Sequence, residues 1–251
     1  MYTTGPITAQ GAFTGDFGIS PDAPVHQIPG DIERDREIMV RQPGMLHKHL
    51  PVLIDPASGA TFSGGRYLFD TYENAEAYRR WVLEEFVVDG VPFPQRSYFV
   101  DPVFLAWQVV GAHDFAAIDT HAAIRFERWS LAGPGGREFL DELWPEARKE
   151  ARKRGLASAW VLYSEERGEA GLVTVAKRSG DAAPGEVDGA GLALLGQRSL
   201  GEAIEHAGRG TRVFDRTGLV WTLWLPRAAP GEAPSLWPNS PPLPAPVPAV
   251  R

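Results

Sequence analysis

Apolar and polar positions along the chain change period several times, and each change marks an expected element. Alternation at period two predicts strands over Ile7–Phe13, Gly44–Leu53 and Ala60–Phe69. Between the first two, Asp31 is a suitable N-cap, and Ile32, Ile38 and Met39 make a narrow apolar stripe. A helix is expected there, ended by Pro43-Gly44. Ala75, Tyr78, Val82 and Phe86 fall at helical spacing within "DTYENAEAYRRWVLEEF". A long strand follows in "RSYFVDPVFLAWQVVGAH". It should bend at Asp101-Pro102, because proline brings no N–H to a ladder.

The same order then recurs. A strand is expected over Ala122–Leu131. A helix follows in "REFLDELWPEARKEARKRG", with Pro145 as a kink or restart and Gly155 as its stop. A hairpin turns near Arg167-Gly168. One helix spans "GLALLGQRSLGEAIEHAG", and a last strand, "TRVFDRTGLVWTLWLP", carries a bulge at Thr217-Gly218. Two β-α-β-β-α-β modules are therefore predicted, residues 1–114 and 115–228, followed by a proline-rich tail over residues 229–251.

Composition narrows the function classes. A net charge of −7 and an acidic isoelectric point argue against a nucleic-acid or anionic-membrane partner. No apolar run is long enough to span a membrane, and the first residues lack the basic and apolar regions of a signal peptide. With no cysteine, disulfides, thiolate catalysis and cysteine-ligated metals are excluded. A cytoplasmic protein, monomeric or homodimeric, is expected. The nucleotide-loop, nucleophile-elbow and metalloprotease signatures are missing; Gly64-Gly65 sits in a strand pattern, not ahead of a helix.

Each module's sheet would carry helices on one face and leave the other open. Packing two such open faces together makes an α/β barrel within one chain. The stretch "PGMLHKHL…SGGRYLFDTYENAEAYRRW" resembles the YdhR-like candidate monooxygenases of the dimeric α/β-barrel superfamily. Residues 42–81 carry the resemblance, chiefly Gly64, Gly65, Tyr67, Leu68 and Phe69, then Ala75, Ala77 and Tyr78. It implies an α+β fold of tandem ferredoxin-like modules and, less directly, an oxygenase, cyclase or isomerase. Fold alone does not decide the chemistry.

"GMLHKHLPVL" raises the sharpest question about a site. His47 and His49 share one face of a strand that this fold makes central. Met45, His47 and His49 would face the barrel cavity, and Leu46 and Leu50 the helices, with Lys48 oddly charged between them. The histidines could line a pocket and move protons, pack structurally, or bind metal with a third ligand from His113, Asp114, Asp119, His121 or Glu127. His47 or His49 is taken as the base and Arg66 as the donor to a developing oxyanion. Tyr67, Trp107, His121, Glu127, Trp129 and Trp160 are expected around the cavity, with Asp119 and His121 a possible base-and-orienter pair at its mouth. The expected function is cofactor-independent monooxygenation of a hydrophobic aromatic or polyketide-like molecule. A cyclase or isomerase, or a binding protein without catalysis, is the alternative. No metal or cofactor is assigned; haem or a metal on a histidine is a third reading.

Overall fold

The computed structural model describes residues 4–23, 34–35, 38–39, 42–54, 58–178, 188–197 and 199–224. The tail over 229–251 lies outside the described residues, as does most of the helix expected from Asp31, of which residues 34–35 and 38–39 are helical.

Strands β1 (Gly5–Pro6), β2 (Gly11–Ile19), β3 (Met45–Ile54) and β4 (Thr61–Phe69) lead to helix α1 (Tyr72–Glu84). A two-residue pair, β5 (Val87–Val88) and β6 (Val91–Pro92), precedes the long strand β7 (Phe99–Asp114). The second half runs β8 (Ala123–Leu131), α2 (Gly136–Lys153), β9 (Leu156–Ser164), β10 (Glu169–Ala176), α3 (Gly189–Gln197), α4 (Glu202–His206) and β11 (Gly210–Trp224). The first half builds the antiparallel order β7-β2-β4-β3 and the second β11-β8-β10-β9, so corresponding strands take corresponding places.

β3 pairs with β11, and β7 pairs with β9, which closes eight strands into an antiparallel barrel. The long strands make the closure. β7 pairs with β2 over Phe99–Gln108 and with β9 over Gln108–Asp114. β11 pairs with β8 up to Leu219 and with β3 from Leu219 onward. Each half thus lends its last strand to the other.

Several elements differ from the sequence expectation. The first long strand is Gly11–Ile19, not Ile7–Phe13. Its three glycines weaken a strand signal, yet all three are needed for packing: a Cβ on Gly11 would run into Thr71 O, one on Gly15 would lie 3.0 Å from the Phe104 ring, and one on Gly18 would lie 3.2 Å from Val100. The helix expected over 191–208 divides into α3 and α4. Ser199 Oγ accepts the Gly201 N–H, and Glu202 accepts the Ser199 N–H, so a fresh start is capped there. β11 keeps register through Thr217-Gly218; its irregularities fall at Arg212/Phe214 and Val220/Thr222. The bend at Asp101-Pro102 is present: Asp101 has a φ of 47°, and the pairing of β2 with β7 shifts there.

The barrel interior is packed with side chains. Ala12, Leu68, Trp107, Ile124, Phe126, Trp160, Leu162, Val173 and Val175 fill it, all fully buried. Eight strands leave room for little more than side chains. A second apolar layer joins α1 to the outer face of β7-β2-β4-β3 through Phe13, Tyr67, Phe69, Tyr78 and Val82. A third joins α2, α3 and α4 to the outer face of β11-β8-β10-β9 through Trp129, Leu140, Leu172, Leu195 and Ile204.

Candidate functional site

The main cavity lies outside the barrel. It occupies about 380 Å³ between the first half's sheet and α1, within the range of small-molecule pockets. Its floor is the outward face of the strands: Phe13, Gly15 and Phe17 from β2, Lys48, Leu50 and Val52 from β3, Ser63, Gly65 and Tyr67 from β4. Its roof is Tyr78 and Val82 of α1 with Asp35, Met39, Phe93 and Arg96. The lining runs from buried Phe13 and Tyr78 to exposed Pro21 and Gly59, so it opens at that end.

Two glycines shape the floor. A Cβ on Gly65 would sit 2.6 Å from the Tyr67 ring, and one on Gly15 would press on Phe104. Their missing side chains let the aromatic rings lie down beside the opening instead of being pushed across it. Phe13 stacks near Tyr67 at 5.3 Å between ring centroids and meets Tyr78 edge-on at 4.9 Å. Phe93, Phe99 and Phe104 continue the aromatic wall.

Few polar groups reach this wall. Lys48 is 1% exposed; its Nζ lies 3.1 Å from Met39 Sδ and 5.0 Å from the Tyr67 ring centroid. The Tyr78 hydroxyl is buried and has no well-formed hydrogen bond among the described residues. Burial pushes both phenols up, Tyr78 well above the ordinary tyrosine value, with the neighbouring Tyr67 adding to it. Both remain protonated donors near neutral pH. At the roof, Arg96 clamps Asp35 through two bonds of 2.6 and 2.8 Å and lies 4.6 Å over the Phe93 ring. The Asp35 carboxylate is thereby committed.

The structure divides the residues singled out from sequence. His47 and His49 point into the barrel, 3% and 0% exposed, on the far side of the sheet from the cavity. The physical reason is the filled barrel: its centre holds Trp107, Trp160 and Phe126 in place of an open pocket. His49 packs 5.1 Å from the Trp160 ring with neither nitrogen hydrogen-bonded among the described residues, and His47 Nε2 lies 3.8 Å from Asp114 Oδ2. Burial lowers both pKa values, His49 furthest, and Asp114 offsets part of the effect at His47. Arg66 is also inside, donating to Gly15 O at 2.6 Å, Gly65 O at 2.8 Å and Asp16 Oδ1 at 2.6 Å.

Of the expected lining residues, Tyr67 lines the cavity. Met45 lies on the helix side, not the barrel side, because pairing with β4 slips between Met45 and His47. Trp107 and Trp160 fill the barrel, Trp107 Nε1 donating to Thr14 Oγ1 at 2.9 Å. Glu127 and Trp129 face the helices of the second half: Glu127 accepts a short bond from Ser199 Oγ, and Trp129 packs with Leu140 and Ile204. His121 sits at the junction with a φ of 66°, away from the cavity lining. Among the described residues no three metal-ligating side chains gather at one point. The side chains of Trp221 and Trp224 lie outside what is described.

Lys48, Tyr78, Asp35 and Arg96 are among the cavity's polar groups that sequence reasoning did not assign to a site, with Ser20, Thr61, Ser63 and Tyr98 beside them. One signal was present. A lysine between Leu46 and Leu50, on a face meant for helices, implies a space there that tolerates an ammonium.

No family model matches the chain, and no curated protein matches it. Solved structures do match in fold. A candidate monooxygenase from Fusobacterium nucleatum subsp. nucleatum ATCC 25586 superposes with a TM-score of 0.53 at 12% identity, covering 88% of this chain and 93% of its own. Another candidate monooxygenase, from Lactobacillus acidophilus NCFM, gives 0.53 at 11% identity, covering 85% and 95%. An anthrone oxidase-like protein gives 0.52 at 17% identity, covering 87% and 95%. The chain has the α/β-barrel fold of these monooxygenase-type proteins, closed within one polypeptide.

Proposed function

We propose that the chain is an enzyme that binds a flat, hydrophobic aromatic or polyketide-like molecule in the sheet–helix cavity and oxygenates it without a bound cofactor. One observation carries the reading: a buried ammonium, Lys48, and a buried phenol, Tyr78, with only Tyr67 beside its hydroxyl, line a cavity walled mainly by aromatic and aliphatic side chains. Such walls stack on a planar substrate. A cation and a hydroxyl placed in them fit an enolate or phenolate oxygen. The fold shared with an anthrone oxidase-like protein is compatible with this.

The chemistry follows from the groups present. The two phenols stay protonated and Asp35 is tied to Arg96, so no described side chain of the cavity is poised as a base. The positive charge of Lys48 instead favours the ionised substrate, whose proton leaves to solvent. Tyr78 donates a hydrogen bond to the same oxygen. The enolate carbon passes an electron to O₂, the radicals combine as a peroxide anion that takes a proton back from solvent, and loss of water leaves a ketone: R₂CH₂ + O₂ → R₂C=O + H₂O. In this reading His47, His49 and Arg66 support the sheet from behind and do not meet substrate.

An oxygen electrode tests it with anthrone as the probe. One O₂ consumed per anthrone, lost in Lys48→Met and reduced in Tyr78→Phe, is the expected result. Tight binding with no oxygen uptake would replace oxygenation by the binding-protein reading, and a rearranged product without uptake by the cyclase or isomerase reading.

A further inference from the structure

A second, smaller opening lies at the end of the barrel where β2 and β3 finish. It is about 20 Å³, room for a water-sized particle, and is lined by Asp16, Phe62, Ser63, Arg66, Phe126, Arg216 and their neighbours. Charge here does not balance. Arg66 is paired with Asp16, and Arg128 with Glu169 at 3.4 Å. Arg216 has no hydrogen-bond or salt-bridge partner among the described residues. Its guanidinium is half-buried, stacked 3.8 Å over the Phe62 ring and 5.0 Å from that of Phe214. A guanidinium has five N–H donors and rarely gives up acceptors when removed from water. A second donor is also unused: Arg66 Nε is buried without a partner.

We infer that this barrel end is a binding site for one small monovalent anion, held between Arg216 and the Arg66–Asp16 pair. Stacking on Phe62 fixes the plane of Arg216 and leaves its edge to face the ligand. The anion would supply the acceptor that Arg216 lacks and cancel the single uncompensated charge. Size restricts the class: chloride fits the space, formate can enter it with one oxygen while its remainder stays in the open mouth, and phosphate is bulkier still. Arg216 is also held below the ordinary arginine value, by burial first, with Asp16 opposing in part and the nearby Arg66 adding to it, a strain that a bound anion relieves. The site lies on the barrel side of the sheet, so it stands independently of the function proposed for the cavity.

The test is thermal unfolding of the full chain in sodium gluconate, with chloride replacing gluconate at constant ionic strength. A saturable rise in Tm is expected, about 3–6 °C at ten times the dissociation constant. Formate should act similarly and phosphate far less. Response to formate and not to chloride would assign the site to a carboxylate. Arg216→Gln should abolish the response and Arg216→Lys weaken it. A rise that never saturates, or one equally large in Arg216→Gln, overturns the inference. Should that variant fail to fold, crystals of the unaltered protein soaked in bromide give the answer directly. An anomalous peak between Arg216 and Arg66 supports the site; none at saturating bromide refutes it.

Discussion

The two halves share a strand order and differ in what fills the layer between sheet and helices. In the first half that layer is hollow: Gly15, Ser63 and Gly65 face outward where rings would otherwise crowd, and about 380 Å³ is left. In the second half the counterpart strand β8 faces outward with Arg125, Glu127 and Trp129. Trp129 fills the layer against Leu140, and Arg125 locks it by donating to Asp215 at 2.6 and 2.8 Å and to Leu195 O at 2.6 Å. One scaffold has therefore been used twice, once around a cavity and once as a filled support. The lesson is that outward strand positions, not the barrel axis, decide where this chain keeps its cavity.

The largest effect should come from emptying the filled half. Trp129→Ala deletes a side chain 1% exposed and should cost about 3–5 kcal/mol in denaturant unfolding. Phe104→Ala removes a ring that already borders the cavity, so it should fall below that range and mainly alter ligand binding. Equal losses at the two positions would break the contrast between hollow and filled.

Next comes the hollow half's floor. Gly65→Ala places a methyl within 2.6–2.8 Å of the Tyr67 ring, which can yield only into the cavity. Overpacking of this kind costs about 1–3 kcal/mol, and the cavity should shrink, with ligand affinity falling alongside. Gly171→Ala, on the counterpart strand β10, finds nothing nearer than 3.3 Å and should cost clearly less. Calorimetric unfolding of both variants, with a ligand titration, checks the pair.

Much of this scaffold was legible from alternation and helical spacing. The order of strands and helices and the bend at Asp101-Pro102 can be read from residue types, while the barrel followed from packing open sheet faces and from the resemblance over residues 42–81. The cavity could not be read the same way. Period two tells which residues share a face, but not which face is hollow, because that depends on how the whole barrel interior is filled. His47 and His49 were correctly grouped on one face, and that face is closed by Trp160 and Trp107 from distant strands. Met45 escaped the pattern through a local slip in register that no spacing reveals. Lys48 was the one visible clue to the other face.

The histidines offer a third, smaller comparison, between inward positions of β3 and β9. Where β9 presents Ser158 and Trp160, β3 presents His47 and His49, two bases that burial keeps neutral. The sign is fixed by linkage. Their folded pKa values lie below the ordinary 6.5, so as pH falls through 6.5 the unfolded chain takes up protons that the folded chain refuses, and stability drops. The limiting slope is about 1.4 kcal/mol per pH unit for each histidine. Urea unfolding between pH 7.5 and 5, values set around that ordinary pKa of about 6.5, should show the decline. His49→Phe should flatten it in part, the remainder belonging to His47 and to His113, whose pKa burial also lowers. An unchanged slope in that variant would place the acid sensitivity elsewhere.

The smallest effect on stability, and the most telling, is expected at Lys48. An ammonium 1% exposed carries a desolvation penalty, which an apolar side chain packed in its place does not. Methionine keeps the unbranched stem and should pack beside Met39 and Tyr67, so Lys48→Met should leave Tm unchanged or raised. If the lysine were there for folding, its loss would instead lower Tm for the whole barrel, since each half lends its last strand to the other. If it is there to hold an anionic oxygen, the loss appears only with ligand present. Affinity for an ionised phenol should fall at least tenfold, about 1.4 kcal/mol, while affinity for an uncharged aromatic of the same size stays level. Equal weakening toward both ligands would make Lys48 part of the wall, and the hollow half would then be a hydrophobic pocket with no preference for charge.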